Sequence, residues 1–491
     1  MKIKFTKKWF GSKVHRYYFV VLFFVGIFAG IISSLYTNEN VFKNNILLVL
    51  GIVFLLFSMI KFRRAFLLLI FVSGLLMGTW RSSNFEYSKQ DFQQYYGKNM
   101  TISGKVIDDI SHGHGGDTRF KISNILINGE YLKGEIWVST RENPVIKRSD
   151  RVEVKGKISK GFGSFFASIS NADITSVVKE SKKDLGLQAR DKFADATKNG
   201  ISEPERSLGL GFLLGQKNDL PEDLQNQIKI LSLSHIVVAS GYNLTILVAF
   251  ARKIFAKISK YLSAITGGAM IGGFILITGF SPSMSRAGLV AGLSLLAWYY
   301  GRKIHPAVIL LVSASITLMI KPSYIWGDLG WYLSFLAFVG VLILAPLLND
   351  FFWGKDKKPS WFRELTIVTL SAQIMTLPIL LYSFGIFSGY SLIANILVLP
   401  VIPFAMMAVF ISGLSGLFLP VVVGIFSIPA NWLLKYCTFV IDKISAFPGV
   451  ASELNINFLV MCICYSLLAL LIIMLKLKTK HNFLKDKMII D

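Results

Sequence analysis

Four residues that suit the binding of an anion lie within one apolar stretch, residues 231–248. They are His235, Ser240, Gly241 and Asn243. Glycine costs about 1 kcal/mol relative to alanine inside a helix, so Ser240-Gly241 predicts a break there. A broken helix frees backbone N–H groups whose partial positive charge suits a phosphate, which favours a transport path. The alternative is ordinary packing, in which the polar side chains bond neighbouring helices and the glycine allows close approach.

Arg286 is the charged residue of a second polar group, at the start of another apolar segment. Its planar, permanently charged guanidinium is suited to a phosphate contact. The alternative is that it reaches the membrane interface or pairs with a carboxylate. Asp328 is the obvious carboxylate, and an Arg286–Asp328 pair would hold two outer helix ends together.

Gln373 and Asn395 form a third group, because both lie in apolar segments that a proline interrupts, Pro378 and Pro400 respectively. Polar residues beside such interruptions are typical of discontinuous or kinked helices that line a path. Proline kinks also occur in helices without a transport role. The pattern alone leaves both interpretations open.

A histidine pair at His112 and His114, followed by Asp117, resembles a fragment of the metal-binding motif of metallo-β-lactamase-type hydrolases. Thr118 stands where the next histidine of that motif belongs, and the chain has only 6 histidines. A glycine-rich hairpin loop explains the stretch equally well. We therefore predict no metal site, no cofactor and no catalytic residues.

The elements that carry these residues follow from composition, since 53% of the 491 residues are hydrophobic and only 16% are charged. The apolar residues fall in blocks of about twenty, the length that crosses a bilayer as a helix. We predict a polytopic α-helical membrane protein of about 12 spans, some of them broken or re-entrant. The predicted spans are 17–35, 45–60, 65–80, 229–251, 262–279, 284–300, 305–321, 326–348, 364–383, 390–412, 417–439 and 455–476.

The net charge of +23 lies largely in short loops between spans, where it predicts orientation and says little about a nucleic-acid partner. The basic loops fall on one side when the spans are counted in order. They place both termini in the cytoplasm and residues 90–178 outside it. The expected localisation is thus the cytoplasmic membrane, with multiple passes through the lipid bilayer.

Residues 90–178 are polar and contain about five short alternating runs, which predict a small β-barrel with the OB-fold as the leading candidate. Basic side chains there would hold a strand of nucleic acid. The candidates are Lys105, Arg119, Lys121, Arg151 and Lys155. Four aromatic residues are stacking candidates or barrel core, and we expect core for most: Phe120, Trp137, Phe165 and Phe166.

These boundaries divide the chain into five predicted regions. They are a three-span membrane region (1–89), the extracytoplasmic OB-like domain (90–178), an amphipathic surface segment and connector (179–228), a transmembrane channel domain (229–476) and a basic cytoplasmic tail (477–491).

Five stretches, in order along the second half of the chain, resemble the ComEC family of competence proteins. They are residues 213–217, 233–243, 285–287, 328–337, and 372–378 together with Asn395 and Pro400. The resemblance implies a channel that takes single-stranded DNA into the cytoplasm during natural transformation. It also implies a cytoplasmic ATP-driven helicase-like motor and an outer DNA receptor as partners, since no GxxxxGK[ST] loop is visible here.

Two departures from the family pattern matter. Asn243 stands where many relatives carry a second histidine, which keeps hydrogen bonding but removes a titratable group. Many relatives also end in a metallo-β-lactamase-like domain assigned to degradation of the other strand, and this sequence stops at Asp491 without one. The expectation is a channel that is not an enzyme, with a separate nuclease where degradation occurs.

Two other function classes compete with this interpretation. A secondary transporter for a small anionic solute would use the same broken helices, although an outer OB-like domain fits it less well. A membrane-bound hydrolase would use His235 and Ser240, but the sequence offers no convincing carboxylate to orient the histidine.

Overall fold

The structure is a computed structural model that describes residues 15–34, 45–60, 64–112, 116–216, 220–237, 241–279, 282–301, 304–354, 360–481 and 483. The chain divides into two compact units. The barrel unit comprises Met1–Ser181 and Ala307–Leu329, and the bundle unit comprises Lys182–Pro306 and Gly330–Asp491.

Helices dominate both units. In chain order they are α1 (Arg16–Ser33), α2 (Ile46–Ile60), α3 (Leu67–Gln90), α4 (Leu185–Ala196), α5 (Glu205–Leu214), α6 (Glu222–Ile230), α7 (Ser234–Val237), α8 (Gly241–Phe255), α9 (Lys260–Thr278), α10 (Pro282–Tyr299), α11 (Pro306–Ile320), α12 (Tyr324–Gly327), α13 (Leu329–Val339), a π-helical turn (Gly340–Leu344), α14 (Ala345–Trp353), α15 (Trp361–Phe384), α16 (Ser391–Val398), α17 (Ile402–Phe418), α18 (Val423–Ser445) and α19 (Phe458–Thr479).

In the barrel unit, α1 and α3 meet through two glycines on each helix: Gly26 and Gly30 on α1, and Gly74 and Gly78 on α3. A Cβ added to Gly74 would collide with the carbonyl oxygen of Phe23, and each of the other three glycines faces backbone of the opposite helix in the same way. This GxxxG spacing on both helices lets the backbones approach to van der Waals contact.

Eight strands follow α3, and two more lie in the bundle unit. They are β1 (Asn99–Val106), β2 (Ser111–His112), β3 (Thr118–Ile127), β4 (Glu130–Leu132), β5 (Ile136–Thr140), β6 (Arg151–Lys160), β7 (Ala167–Ile169), β8 (Asp173–Val178), β9 (Ile386–Ser388) and β10 (Ala451–Glu453).

Five of these strands close into a barrel in the order β1-β3-β5-β7-β6, because β1 also pairs with β6. The pair β5–β7 is parallel, and the other barrel pairs are antiparallel. Such a five-stranded Greek-key barrel is the architecture of the OB-fold. The predicted small β-barrel is therefore confirmed.

The barrel core follows from strand alternation. Along β3, Phe120 and Ile122 are buried, while Arg119 and Lys121, which alternate with them, point outward. Burying each apolar side chain of this size stabilises the fold by about 1.5–3 kcal/mol relative to leaving it exposed. The same alternation thus fixes the core and selects the residues of the outer face.

Residues 307–329 belong to the barrel unit by their contacts. The predicted channel domain at 229–476, which includes these residues, stays a prediction. Arg81, near the end of α3, donates from Nε to the carbonyl of Met319 (2.6 Å) and from Nη2 to the carbonyl of Ile320 (2.6 Å). These are carbonyls of the last turn of α11, which have no partner within their own helix. A distant arginine, invisible to local pattern, thus attaches α11 to the N-terminal region.

Six helical segments of the described residues are long and apolar enough to cross a membrane, or seven if α16 and α17, bent by 49°, form one broken span. Three shorter apolar helices also fall at predicted spans: Tyr17–Ser33, Ile46–Ile60 and Pro306–Ile320. A membrane protein with an N-terminal barrel is thus supported. The count of about twelve spans and the side on which the barrel lies stay predictions.

The predicted span 229–251 is not one continuous helix. Helix α6 ends at Ile230, Ser232 adopts a left-handed φ of 55°, and α7 has only four residues. Helix α8 is described from Gly241 onward, and residues 238–240, which include Ser240 of the predicted break, lie outside the described residues. Because a left-handed residue stops a helix, α6 does not continue into α7.

Helix α5, which lies in the predicted surface segment and connector (179–228), packs in the core of the bundle unit. Nine of its ten residues are buried. A Cβ added to Gly209 would lie 2.8 Å from Val409 of α17 and 3.0 Å from Leu434 of α18. From Leu208 onward α5 is apolar on all sides, and a helix of this kind is expected to be buried.

We predict that Gly74→Val destabilises the protein, because a side chain there must push α1 away from α3. Forced overpacking costs about 1–3 kcal/mol, so the thermal midpoint of the purified full-length chain in detergent should fall. Gly272→Val is the matched control, since a Cβ at Gly272 meets nothing within 4 Å. Equal midpoints for the two variants would contradict the glycine-mediated contact.

Candidate nucleic-acid interface

The outer face of β3 and β5 brings two predicted cations beside an aromatic residue. Arg119 and Lys121 alternate with core residues on β3, and Lys121 lies directly opposite Trp137 of β5 in the antiparallel register. Trp137 is itself flanked by the buried Ile136 and Val138. Strand pairing therefore fixes all three outward side chains relative to one another.

Two phenylalanines of the loop between β6 and β7 extend this group. The rings of Trp137 and Phe162 lie 5.4 Å apart, as do those of Phe162 and Phe165. The Arg119 guanidinium lies 5.9 Å from the Trp137 centroid, and the Lys121 ammonium lies 5.8 Å from that of Phe165. These five residues form what we call the aromatic–cation face.

The position of this face within the barrel is informative. Counting the closed strands in chain order, β3 and β5 are the second and third, and the loop carrying Phe162 and Phe165 joins the fourth to the fifth. In OB-folds the second and third strands and this same loop form the ligand surface for oligonucleotides and oligosaccharides. The aromatic–cation face lies on that surface.

Each cation of the face has an acidic neighbour. Arg119 Nε lies 2.7 Å from Asp117 Oδ2, and this hydrogen bond lowers the pKa of the Asp117 carboxyl. Burial lowers the pKa of Lys121, but the Asp108 carboxylate 2.9 Å away, together with those of Glu135 and Asp328, outweighs burial, so the net shift is upward. Both shifts favour the charged form, the carboxylate of Asp117 and the ammonium of Lys121. A phosphate would have to share each cation with a carboxylate, which leaves the aromatic rings a large part of any binding energy.

The three other predicted cations lie on neighbouring strands of the same outer surface. Lys105 of β1 is opposite Arg151 of β6, and both are half-buried. Arg151 Nε lies 3.5 Å from Glu180 Oε1. Lys155 is exposed four residues further along β6, about 13 Å from Arg151. The structure thus brings Lys105 and Arg151 together and leaves Lys155 at a distance.

The aromatic candidates divide between core and surface. Phe120 and Phe166 are buried at 2% and 4% exposure, so both belong to the core. Trp137 and Phe165 point outward. Phe162, 53% exposed, was missed by the sequence analysis, although its position between Gly161 and Gly163 signals an exposed loop.

In the bundle unit, Asn243 is fully buried and donates from Nδ2 to the carbonyl of Phe212 (2.8 Å). Phe212 lies in the last turn of α5, where carbonyls lack a partner within the helix. Gly241 allows α8 to approach α10, since a Cβ there would lie 3.2 Å from that of Ala287. The His235 ring is exposed on α7, with Nδ1 3.0 Å from the Ser232 carbonyl.

Ser240, the remaining residue of this predicted path, lies outside the described residues.

Arg286 is 2% exposed inside the bundle unit. Its Nη2 donates to the carbonyl of Gly330 (2.7 Å), and its guanidinium lies 6.0 Å from the Phe335 centroid. Asp328 follows α12 in the barrel unit, where its carboxylate helps to raise the pKa of Lys121. The Arg286–Asp328 pair stays a prediction.

Gln373 and Asn395 converge on one serine. Gln373 Nε2 of α15 donates to the hydroxyl of Ser391 (3.1 Å), and Asn395 Nδ2 donates to the Ser391 carbonyl (2.8 Å). Asn395 is 1% exposed, and its Oδ1 has no hydrogen-bond partner among the described residues. The structure thus joins these two predicted residues across α15 and α16 in a buried polar contact.

The histidine-rich loop is only partly described, since His114 and the side chain of His112 lie outside the described residues. Thr118, where the hydrolase motif needs a histidine, is buried in β3, and Asp117 is bound to Arg119. No group of three His, Cys, Asp or Glu side chains suited to a metal occurs in the described part of the chain.

Comparison with known proteins identifies relatives of the chain. The family model described as "Competence protein" matches residues 212–479, more than half of the 491 residues. ComE operon protein 3 of Bacillus subtilis (strain 168) is 26% identical over 248 residues, which cover 49% of this chain but only 31% of that protein. No solved structure matches the chain.

We predict that Asn243→Ala destabilises the protein, because the Phe212 carbonyl loses its donor while it stays buried. An unpaired buried acceptor costs about 1–3 kcal/mol, which should lower the thermal midpoint in detergent. Thr245→Ala on the same helix is the control, since its exposed hydroxyl donates to the Gly241 carbonyl within that helix. A midpoint for Asn243→Ala as high as that of the control would show that this bond contributes nothing.

Proposed function

The chain belongs to the competence protein family, and on that premise we propose that it forms a channel for single-stranded DNA in the cytoplasmic membrane. A role in DNA uptake during transformation is consistent with the family. The channel activity itself, its substrate and its partners are the proposal.

The observation that carries the proposal is an aromatic–cation face on the ligand surface of an OB-type barrel, in the same chain as at least six apolar helices. A single strand exposes both bases and phosphates. Trp137, Phe162 and Phe165 would stack bases, while Arg119 and Lys121 would bind phosphates. Lys105, Arg151 and Lys155 would extend the cationic surface across β1 and β6.

Translocation sets a second requirement. A single strand carries one negative charge per nucleotide and cannot enter hydrocarbon, so it needs a path lined by water, cations or hydrogen-bonding groups. We propose His235, Ser240, Gly241, Asn243, Arg286, Asp328, Gln373 and Asn395 as residues of that path.

Arg286 needs a conformational change before it can contact a phosphate of the translocating strand. At 2% exposure its guanidinium cannot touch a passing phosphate, and Gly330 occupies one of its donors. Opening of the contact between α10 and the start of α13 would expose it. A closed path in the resting state agrees with a membrane that must stay impermeable to ions.

The proposal includes a topology and partners. About twelve spans would place both termini in the cytoplasm and the barrel outside, where it would receive DNA from an outer receptor. A cytoplasmic ATP-driven helicase-like motor would pull the strand, and a separate nuclease would degrade its complement. The channel itself would not act as an enzyme.

We predict that Arg286→Ala abolishes the uptake of labelled DNA by a deletion strain that expresses the variant. Arg286→Lys should restore part of the uptake, because it keeps the charge but loses the planar fork. Immunoblotting of the membrane fraction checks that both variants are present in wild-type amounts. Wild-type uptake by Arg286→Ala would remove this residue from the path.

The full-length protein should bind oligothymidine with an affinity that falls steeply with salt. Trp137→Ala should weaken binding about tenfold, since stacking contributes about 1–3 kcal/mol per base. Lys121→Ala should weaken binding less and flatten the salt dependence. Lys192→Ala, an exposed lysine of α4, is the control. Binding that is equal in all four proteins would exclude the aromatic–cation face as the DNA site.

A further inference from the structure

A groove of about 710 Å³ lies in the bundle unit between α18 and residues 198–202, the turn that precedes α5. Its lining combines two lysines, an aromatic ring and polar groups: Lys198, Ser202, Asn431, Trp432 and Lys435. None of these residues belongs to the path proposed above. The groove is therefore a separate feature that has to be explained.

Asn431 builds the groove by fixing its two walls. Its Nδ2 donates to the Gly200 carbonyl (2.7 Å), and its Oδ1 accepts from the Ser202 backbone N–H (3.3 Å). Gly200 leaves no room for a side chain, since a Cβ there would collide with the hydroxyl of Ser427. The turn is thus held against α18 at a fixed distance.

Lys435 is an unusual residue for its position. It is exposed in the middle of α18, which forms most of the candidate membrane span Pro420–Ser445. Its ammonium forms no ion pair or hydrogen bond with any residue that the structure describes. An unpaired charge is costly in hydrocarbon, and such residues usually face water-filled cavities and mark ion or substrate pathways. The groove is accordingly a site for water and an anion.

The other charges around the groove are few. Lys198 pairs with Asp195 at 2.6 Å, but both side chains are more than half exposed, so the pair is weak. The Glu205 carboxylate is buried behind the wall, where it accepts hydrogen bonds from Ser202 (3.1 Å) and Thr438 (3.4 Å). The two ammonium groups therefore dominate the open side of the groove.

We propose that this groove is a second contact for the translocating strand, in which Lys435 and Lys198 bind phosphates and Trp432 stacks a base. Trp432 is 77% exposed and adjacent to Asn431, so its ring is available at the wall. The proposal rests on the proposed function and adds a binding site within the membrane helices. Stacking together with backbone charge contacts binds single strands without regard to sequence.

A lipid headgroup is the other source of phosphate. A headgroup offers no base to stack, so it would leave Trp432 without a role, whereas a single strand engages both the ammonium groups and the ring. The experiment below distinguishes the two sources.

Photo-crosslinking tests the proposal. The full-length protein in bilayers of zwitterionic lipid is irradiated with an oligothymidine of about 20 nucleotides that carries 5-iododeoxyuridine, longer than the footprint of one OB-fold. Peptide mapping should find crosslinks in the peptide containing Trp432 as well as in the barrel. Lys435→Gln should reduce the Trp432 crosslink about tenfold, the loss expected for one charge-assisted bond. Lys435→Arg should retain it.

Lys443→Gln is the matched control, since Lys443 is exposed on the same helix outside the groove. It should leave the yield at Trp432 unchanged. Crosslinks in the barrel alone, with normal DNA uptake, would overturn the groove and leave the proposed function intact. The absence of all crosslinks and of uptake in the wild type would overturn both. Loss of the Trp432 crosslink on addition of phosphatidylglycerol, with barrel crosslinks unchanged, would reassign the groove to lipid.

Discussion

A polar group that leaves water must find a partner, and this constraint organises the helical part of the molecule. Asn243 meets it by donating to the Phe212 carbonyl at the end of α5. Arg81 donates to the Met319 carbonyl at the end of α11, and Arg286 donates to the Gly330 carbonyl. Each contact joins elements that are far apart in the sequence. The polar residues that first suggested a transport path therefore also determine which helices are neighbours.

In the barrel, side-chain alternation determines both stability and the candidate interface. The period of two places Phe120 in the core and its neighbours Arg119 and Lys121 on the surface. The sequence therefore allowed a prediction of the barrel and of its cations. It could not separate core aromatics from surface aromatics. That distinction depends on the pairing of β3 with β5, which sets Trp137 opposite Lys121.

Other features could not be predicted from the local sequence pattern, because they depend on single residues or on contacts between distant segments. Apolar blocks predicted most of the long helices, because burial in lipid needs only length and composition. The end of α6 at Ile230 depends on one left-handed residue, Ser232, which no periodicity signals. The burial of α5 depends on close contacts of Gly209 with two other helices. The sequence shows a lysine at position 435, but only the structure shows that this lysine lines a groove together with Lys198 and Trp432.

The glycines of α1 and α3 have a consequence for assembly. A GxxxG face on a membrane helix is a common surface for self-association. Here the Gly26–Gly30 face is covered by the Gly74–Gly78 face of the same chain. Neither face is then available to another copy without first separating the two helices. Association of this protein in the membrane, in whatever number of copies, has to use other surfaces.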